Sequence, residues 1–280
     1  MIATFRYEFR MQIRRPVLWI VYGLTFAVIV ITLNPAYVDL QRSNDRDDPM
    51  TAMIVSADLL MSLLPIVYGC LLADRLVRDR RLGVVGVLDA TPTAHTTRLI
   101  GKYLGTCAAT AVPFTLAYFG RAVVYAIVEG EPSALGWAVV VFVTTTVPAL
   151  LFVGALGLAG PLLMPPMLFQ VLFVVYWFWG NLIYPSMMPT LADTILSPNS
   201  QYVAYGLLGY TPAPPGPTET HLIIGPDYYT YGGPTPGGAS LDFLRPMADA
   251  PVALLWIGVM LVLAVFVLSL ARLHTTRTES

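Results

Sequence analysis

The chain predicts an all-α integral membrane fold: six transmembrane helices, an N-terminal amphipathic interfacial helix, both termini cytoplasmic, and a long outer segment between spans 5 and 6. Three observations predict it. Mean hydropathy is +0.67, with 56% hydrophobic and only 12% charged side chains over 280 residues, well above what a soluble core requires. Uncharged runs recur at the length of a bilayer crossing, about 20 residues. The basic residues, finally, gather in alternate connecting segments.

Taken in order, residues 1–16 read MIATFRYEFRMQIRRP. Ile2, Phe5, Phe9 and Ile13 follow helical spacing, and Arg6, Arg10 and Arg14 repeat every four residues beside that stripe. This is the pattern of a helix in the inner interface whose arginines reach anionic headgroups. An ordinary positive flank without fixed structure is the alternative. Pro16 turns the chain into the first span, about 17–37, inside the 23-residue charge-free run Pro16–Val38. Sixteen residues precede the first span, which is too long for the apolar region of a cleavable signal peptide and lacks the small-residue exit.

The second span, about 51–73, is interrupted only by Asp58, and the third, about 103–128, only by Arg121. Pro132–Ala192 carries no charge for 61 residues. That is too long for one helix, and GPLLMPPM (Gly160–Met167) divides it into spans at about 136–160 and 167–188. The last span, about 251–271, lies in the 22-residue run Ala250–Ala271. Residues 74–102 form a cytoplasmic loop and 189–250 the outer segment. The first part of that segment, LADTILSPNSQYVAYGLLG, suits a short helix or two at or dipping into the outer interface. The stretch beyond it is too rich in Pro and Gly for regular structure. Cys70 and Cys107 fall within spans and read as apolar packing residues rather than a disulfide.

Orientation follows from Lys and Arg in short flanks. With the N-terminus inside, twelve basic residues lie in inner segments and three in outer ones, while the acids divide five to eleven. The expected location is the cytoplasmic (inner) membrane.

Some residues within spans carry special chemistry. Asp58 and Arg121 each lie seven residues from the outer end of their span, roughly 10 Å deep at 1.5 Å per residue. Their helices are consecutive and antiparallel, so the two charges are expected to face each other as an intramembrane ion pair, because either alone is costly in lipid. Tyr176, Trp177, Phe178 and Trp179 stand near mid-membrane in the fifth span. Plain helix packing is the favoured reading of these aromatics, and Asn181, one turn further, is a candidate for cross-helix hydrogen bonding. Gly154, Gly157 and Gly160 in the fourth span, and Gly101 and Gly105 in the third, give faces for close helix contact.

The loop concentrates charge: six of the sixteen basic residues lie in residues 74–102. Asp74–Asp89 reads as a short helix with Val77, Val84 and Leu88 on one side, and Thr91-Pro92 as the start of the next. Here Asp79, Gly83, Leu88, Thr91, Pro92, Gly101 and Lys102 resemble a motif of type-2 ABC transporter permeases. The layout of spans, the interfacial helix and the outer segment are similar to that family too. Asp79 stands where the family usually has glutamate, one methylene longer. The resemblance implies that the loop, with Arg75, Arg78, Asp79, Arg80, Arg81, Gly83, Leu88, Thr91 and Pro92, couples to a groove on a separate ABC ATPase subunit. It also implies pairing with a second permease copy or a related permease, with the second and fifth spans at that interface and lining the route, which makes Tyr176, Trp177, Trp179 and Asn181 candidates for a substrate path.

The sequence excludes several chemistries. There is no G-x-x-x-x-G-K-[ST] loop, since Lys102 is followed by Tyr103. ATP and Mg are therefore expected on the partner chain and no cofactor on this one. His95, His221 and His274 are scattered and read as solvated or capping residues. No catalytic residue, metal site or nucleic-acid partner is expected, and two charges of opposite sign at depth are poor material for an intramembrane enzyme. The function expected is the permease subunit of an ATP-driven exporter. A non-transport membrane scaffold or assembly subunit worked by such an ATPase is the alternative, and membrane lipid is a partner of either.

Overall fold

A computed structural model describes residues 1–32, 48–73, 75–76, 95–183, 188–210 and 241–279. All regular elements among them are helical. They are α1 (Ile2–Ile13), α2 (Pro16–Thr32), α3 (Pro49–Leu72), α4 (His95–Val128), α5 (Ser133–Leu162), α6 (Pro166–Leu182) and α7 (Ala250–Glu279). Helices α3, α4, α5 and α7 are long and apolar enough to cross a membrane, whereas α2 and α6 are shorter apolar helices. The chain is a membrane protein.

Proline and aspartate set the starts. The Asp48 carboxylate accepts from the backbone N–H of Met50 and Thr51, with Pro49 in the first turn where no donor is needed. Asp249 caps α7 in the same way through Val252 N–H at 2.8 Å, ahead of Pro251. Pro165 and Pro166 open α6, so the expected division at Gly160–Met167 falls where the structure breaks. Helix α4 starts at His95, earlier than the span expected at 103, because Arg98 and Lys102 continue the helix beyond its apolar part.

Helix α3 is central, packed by α2, α4, α5 and α6, while α7 lies along the second half of α5. Its neighbours close on it through glycine notches. A Cβ at Gly157 would stand 2.9 Å from the Gly69 carbonyl oxygen, while Phe173 fills the space at Gly69 and Phe169 that at Gly160. Burial of Tyr68, Leu72, Leu158, Phe169, Phe173 and Trp177 makes this the dense part of the core. Polar groups staple the same helices. Tyr103 OH donates to Leu151 O at 2.6 Å, Gln170 Nε2 to Cys70 O at 3.1 Å and Trp177 Nε1 to Ser62 O at 2.8 Å. Such bonds bind helices where lipid supplies no hydrophobic drive between them. Outward-facing Leu24, Ile127, Val171, Val262 and Phe266 are exposed, as lipid-facing residues are. Cys70 and Cys107 are both free thiols, and Cys107 is buried.

Candidate functional site

Of the loop residues expected to couple to an ATPase, Arg78, Asp79, Arg80, Arg81, Gly83, Leu88, Thr91 and Pro92 lie outside the described residues. Arg75 and Lys102, at the two ends of the loop, are described and buried, 3% and 6% exposed. The loop therefore leaves and re-enters the bundle through cationic side chains held within protein.

Immediately past the loop, α1 lies along the first half of α4. Gly101 and Gly105 make the seat: a Cβ at Gly101 would stand 3.0 Å from Met1 O, and one at Gly105 2.7 Å from Phe5 O. The face that α1 turns inward is polar. Glu8 and Gln12 are buried, and Gln12 Nε2 donates to Thr110 Oγ1 at 3.0 Å. On α4, Lys102, Thr106 and Thr110 form the matching buried stripe at four-residue spacing. Ile2, Arg6, Tyr7, Arg10 and Arg14 are exposed, with Arg6, Arg10 and Arg14 along one open side. The apolar stripe of Phe5, Phe9 and Ile13 is half-buried. The helix expected at 1–16 is present, seated on the glycines Gly101 and Gly105, and its buried face is polar, through Glu8 and Gln12. The 102, 106, 110 spacing was the available signal.

At the other end of the bundle, α3 and α4 are adjacent, as expected. Arg121 Nε donates to Ser56 Oγ at 2.6 Å, and Asp58 takes a hydrogen bond from the Gln201 side chain. Ser56 and Asp58 are two positions apart on one helix, about 200° around its axis, so they look toward different neighbours. Gln201 comes from the segment before α7, far along the chain.

That segment, 188–210, is folded as a cap. Turns at 191–199 lead into a π-helical turn at Val203–Leu207. Buried Arg245 donates from Nε to Ala192 O at 3.2 Å and from Nη2 to Thr190 O at 3.1 Å. Trp256 Nε1 donates to Ser197 O at 2.9 Å, tying the cap to α7. Tyr202 OH donates to Asp193 O at 3.0 Å, and burial first, then the Asp193 charge, pushes its phenol up, so it remains neutral. The expected helix or two at the outer interface is thus one π turn set among buried turns.

The fifth-span aromatics divide in two. Trp177 is fully enclosed against α3, and Asn181 is buried, its Oδ1 accepting from Ser197 Oγ at 2.7 Å. Both are engaged in holding the bundle and cap together. Tyr176 and Trp179 are half-buried, with Trp179 Nε1 donating to Pro189 O at 3.1 Å. The opposite side of α6 exposes Met167, Val171, Val175 and Phe178. Among the described residues no group of three or more His, Cys, Asp or Glu comes together. No family model matches the chain, and no curated protein matches it.

Proposed function

We propose that this chain is the permease subunit of an ATP-driven exporter of the type-2 ABC class, in the inner membrane, working with a separate ATPase and a second permease copy. In this reading α2 to α7 are six spans. Helix α2, 17 residues long, and α6 reach the short end of the length a crossing needs. Twelve basic residues against three put both termini and the 74–102 loop inside.

The observation that carries the reading is the seat of α1 on α4 directly beyond the basic loop. A soluble partner pushing on the loop would act on a helix whose start is clamped, at Gly101 and Gly105, to α1. The push would then move α4 and α1 as one body. Loop arginines offer an acid-lined groove charge-assisted contacts. The apolar face of α6, Met167 to Phe178, gives a second copy a surface within the bilayer.

The test is co-purification with a tagged ATPase encoded at the same locus. Wild type is expected to retain the ATPase and support its activity, and a variant carrying Arg78→Glu, Arg80→Glu and Arg81→Glu to lose both. Equal retention by the two, or by neither, refutes the coupling role of the loop.

A further inference from the structure

The open side of α1 carries a feature that its seat on α4 does not use. Arg6, Arg10 and Arg14 follow one another along it and, with Ala3, Tyr7 and Met11, line an open groove of about 450 Å³. Arg10 stands two positions from both Glu8 and Gln12, about 160° around the helix. The guanidinium row therefore points away from the bundle. Glu8 is the one acid of α1 and is buried on the opposite side, so no carboxylate of this helix balances the row.

The seat fixes how the row is placed. A Cβ at Gly101 would meet Met1 O, one at Gly105 would meet Phe5 O, and Gln12 reaches Thr110. The contacts advance together, so α1 runs alongside α4, its first residues toward the basic loop and its last toward the apolar part of α4. Trp19, just past the junction with α2, donates its indole N–H to Ile13 O at 2.9 Å and stays 43% exposed. That is the placement of a tryptophan at a membrane–water boundary. Beyond it α2 exposes Ile20, Leu24 and Val28 to face acyl chains. The row thus starts at Arg14, next in sequence to the carbonyl that Trp19 holds, and runs outward from the boundary to Arg6, about 12 Å along the helix.

We propose that this groove binds one phospholipid whose headgroup carries two phosphates, with Arg10 and Arg14 holding the phosphate nearer the acyl chains and Arg6 the farther one. Guanidinium forks match phosphate oxygens in pairs, and a row of this length exceeds what one phosphate can occupy. Met11, Ala3 and the Tyr7 ring give the glycerol part an apolar wall. A soluble acidic segment would answer the charge equally well, but it has no use for the exposed apolar side of α2 that begins where the row ends. Bound there, the lipid would hold α1 in its seat from the outer side. This inference does not rest on the ATPase reading, and either can fail alone.

The test is native mass spectrometry of the purified full-length chain in a neutral detergent, titrated with cardiolipin (two phosphates), phosphatidylglycerol (one) or phosphatidylcholine (no net charge). Wild type is expected to hold one cardiolipin per chain, to bind phosphatidylglycerol about fivefold more weakly, and to bind phosphatidylcholine weakest of the three. Arg6→Gln, Arg10→Gln and Arg14→Gln together are expected to weaken cardiolipin about 100-fold, the combined effect of three arginines on an anionic lipid. Arg6→Gln alone is expected to weaken cardiolipin about fivefold and to leave phosphatidylglycerol unchanged, a split that a diffuse positive surface does not give. Arg272→Gln, at an exposed position on α7, is expected to bind as wild type does. Each substituted arginine of α1 is exposed, so the variants are expected to melt with wild type. Inorganic pyrophosphate, which lacks acyl chains, is expected to compete only weakly. Equal affinity for cardiolipin and phosphatidylglycerol, equal competition by free pyrophosphate, or several cardiolipins bound with no stronger first site would each overturn the proposal. Undiminished cardiolipin binding in the triple variant would do the same, and loss of a soluble partner by that variant would then make the groove a protein contact.

Discussion

Replacing Gly105 with alanine probes the contact between α1 and α4 at its tightest point. The added methyl carbon would stand 2.7 Å from Phe5 O and 3.0 Å from Glu8 Cβ, where ordinary contact begins near 3.4 Å. The nearest atom is backbone, so no side chain can rotate away, and α1 must retreat by several tenths of an ångström. That retreat stretches the 3.0 Å bond from Gln12 to Thr110, made between two buried groups. Overpacking of this kind costs about 1–3 kcal/mol. Gly120, on the same helix, has nothing within 4 Å of its would-be Cβ. There alanine gains about 0.4–1 kcal/mol by narrowing the unfolded ensemble. The two variants should therefore differ by about 1.4–4 kcal/mol, or roughly 3–16 °C in Tm for a chain of this size. Thermal unfolding in detergent, followed by tryptophan fluorescence, reads the difference. Limited trypsin digestion adds a local readout, since Arg6, Arg10 and Arg14 are exposed cleavage points on α1; Gly105→Ala should be cut several-fold faster there. Equal melting of the two variants, with unchanged cleavage, would refute the clamped seat and the transmission argument that rests on it.

Arg245→Ala removes two hydrogen bonds from a buried cation to the Thr190 and Ala192 carbonyls. It should cost about 2–3 kcal/mol and expose 188–210 to protease, with Arg245→Lys recovering only part because it lacks the fork. Trp177→Ala empties a fully enclosed site and should lower stability by about 3–5 kcal/mol. Trp177→Phe, which keeps a smaller aromatic ring but not the bond to Ser62 O, should cost about 1 kcal/mol or more; on the proposed permease reading, loss of activity with Tm unchanged would instead mark Trp177 as part of a path.

The helices were legible because a membrane imposes a length and forbids charge, and both can be counted along the chain. The breaks at Asp48-Pro49 and Pro165-Pro166 were legible because aspartate and proline punctuate locally. Azimuth was harder to read. Depth alone placed Asp58 and Arg121 at one level, but the partners each finds depend on how the helices pack, and Gln201 reaches Asp58 from a segment no local pattern connects to it. The face of α1 is a similar case. Apolar stripes mark the buried side in water, but beside lipid they have somewhere else to go, and Glu8 and Gln12 take the inner contact. Arg245 counted in sequence as one of three outer basic residues, yet it is the buried pin of the cap.

The glycine notches between α3, α5 and α6 also determine how these helices can move. With Phe173 lodged at Gly69 and Phe169 at Gly160, and with the Gly157 and Gly69 backbones in near contact, these surfaces mesh like teeth and not like smooth rods. Sliding α6 along α3 must first lift a phenyl ring out of its socket. The neighbouring positions Tyr68 and Cys70 bear side chains and offer no second socket. Sliding of these three helices past one another is therefore opposed by lodged side chains, and α4 is keyed to the same block, since Cys107 Sγ lies 2.6 Å from where a Cβ at Gly154 would stand.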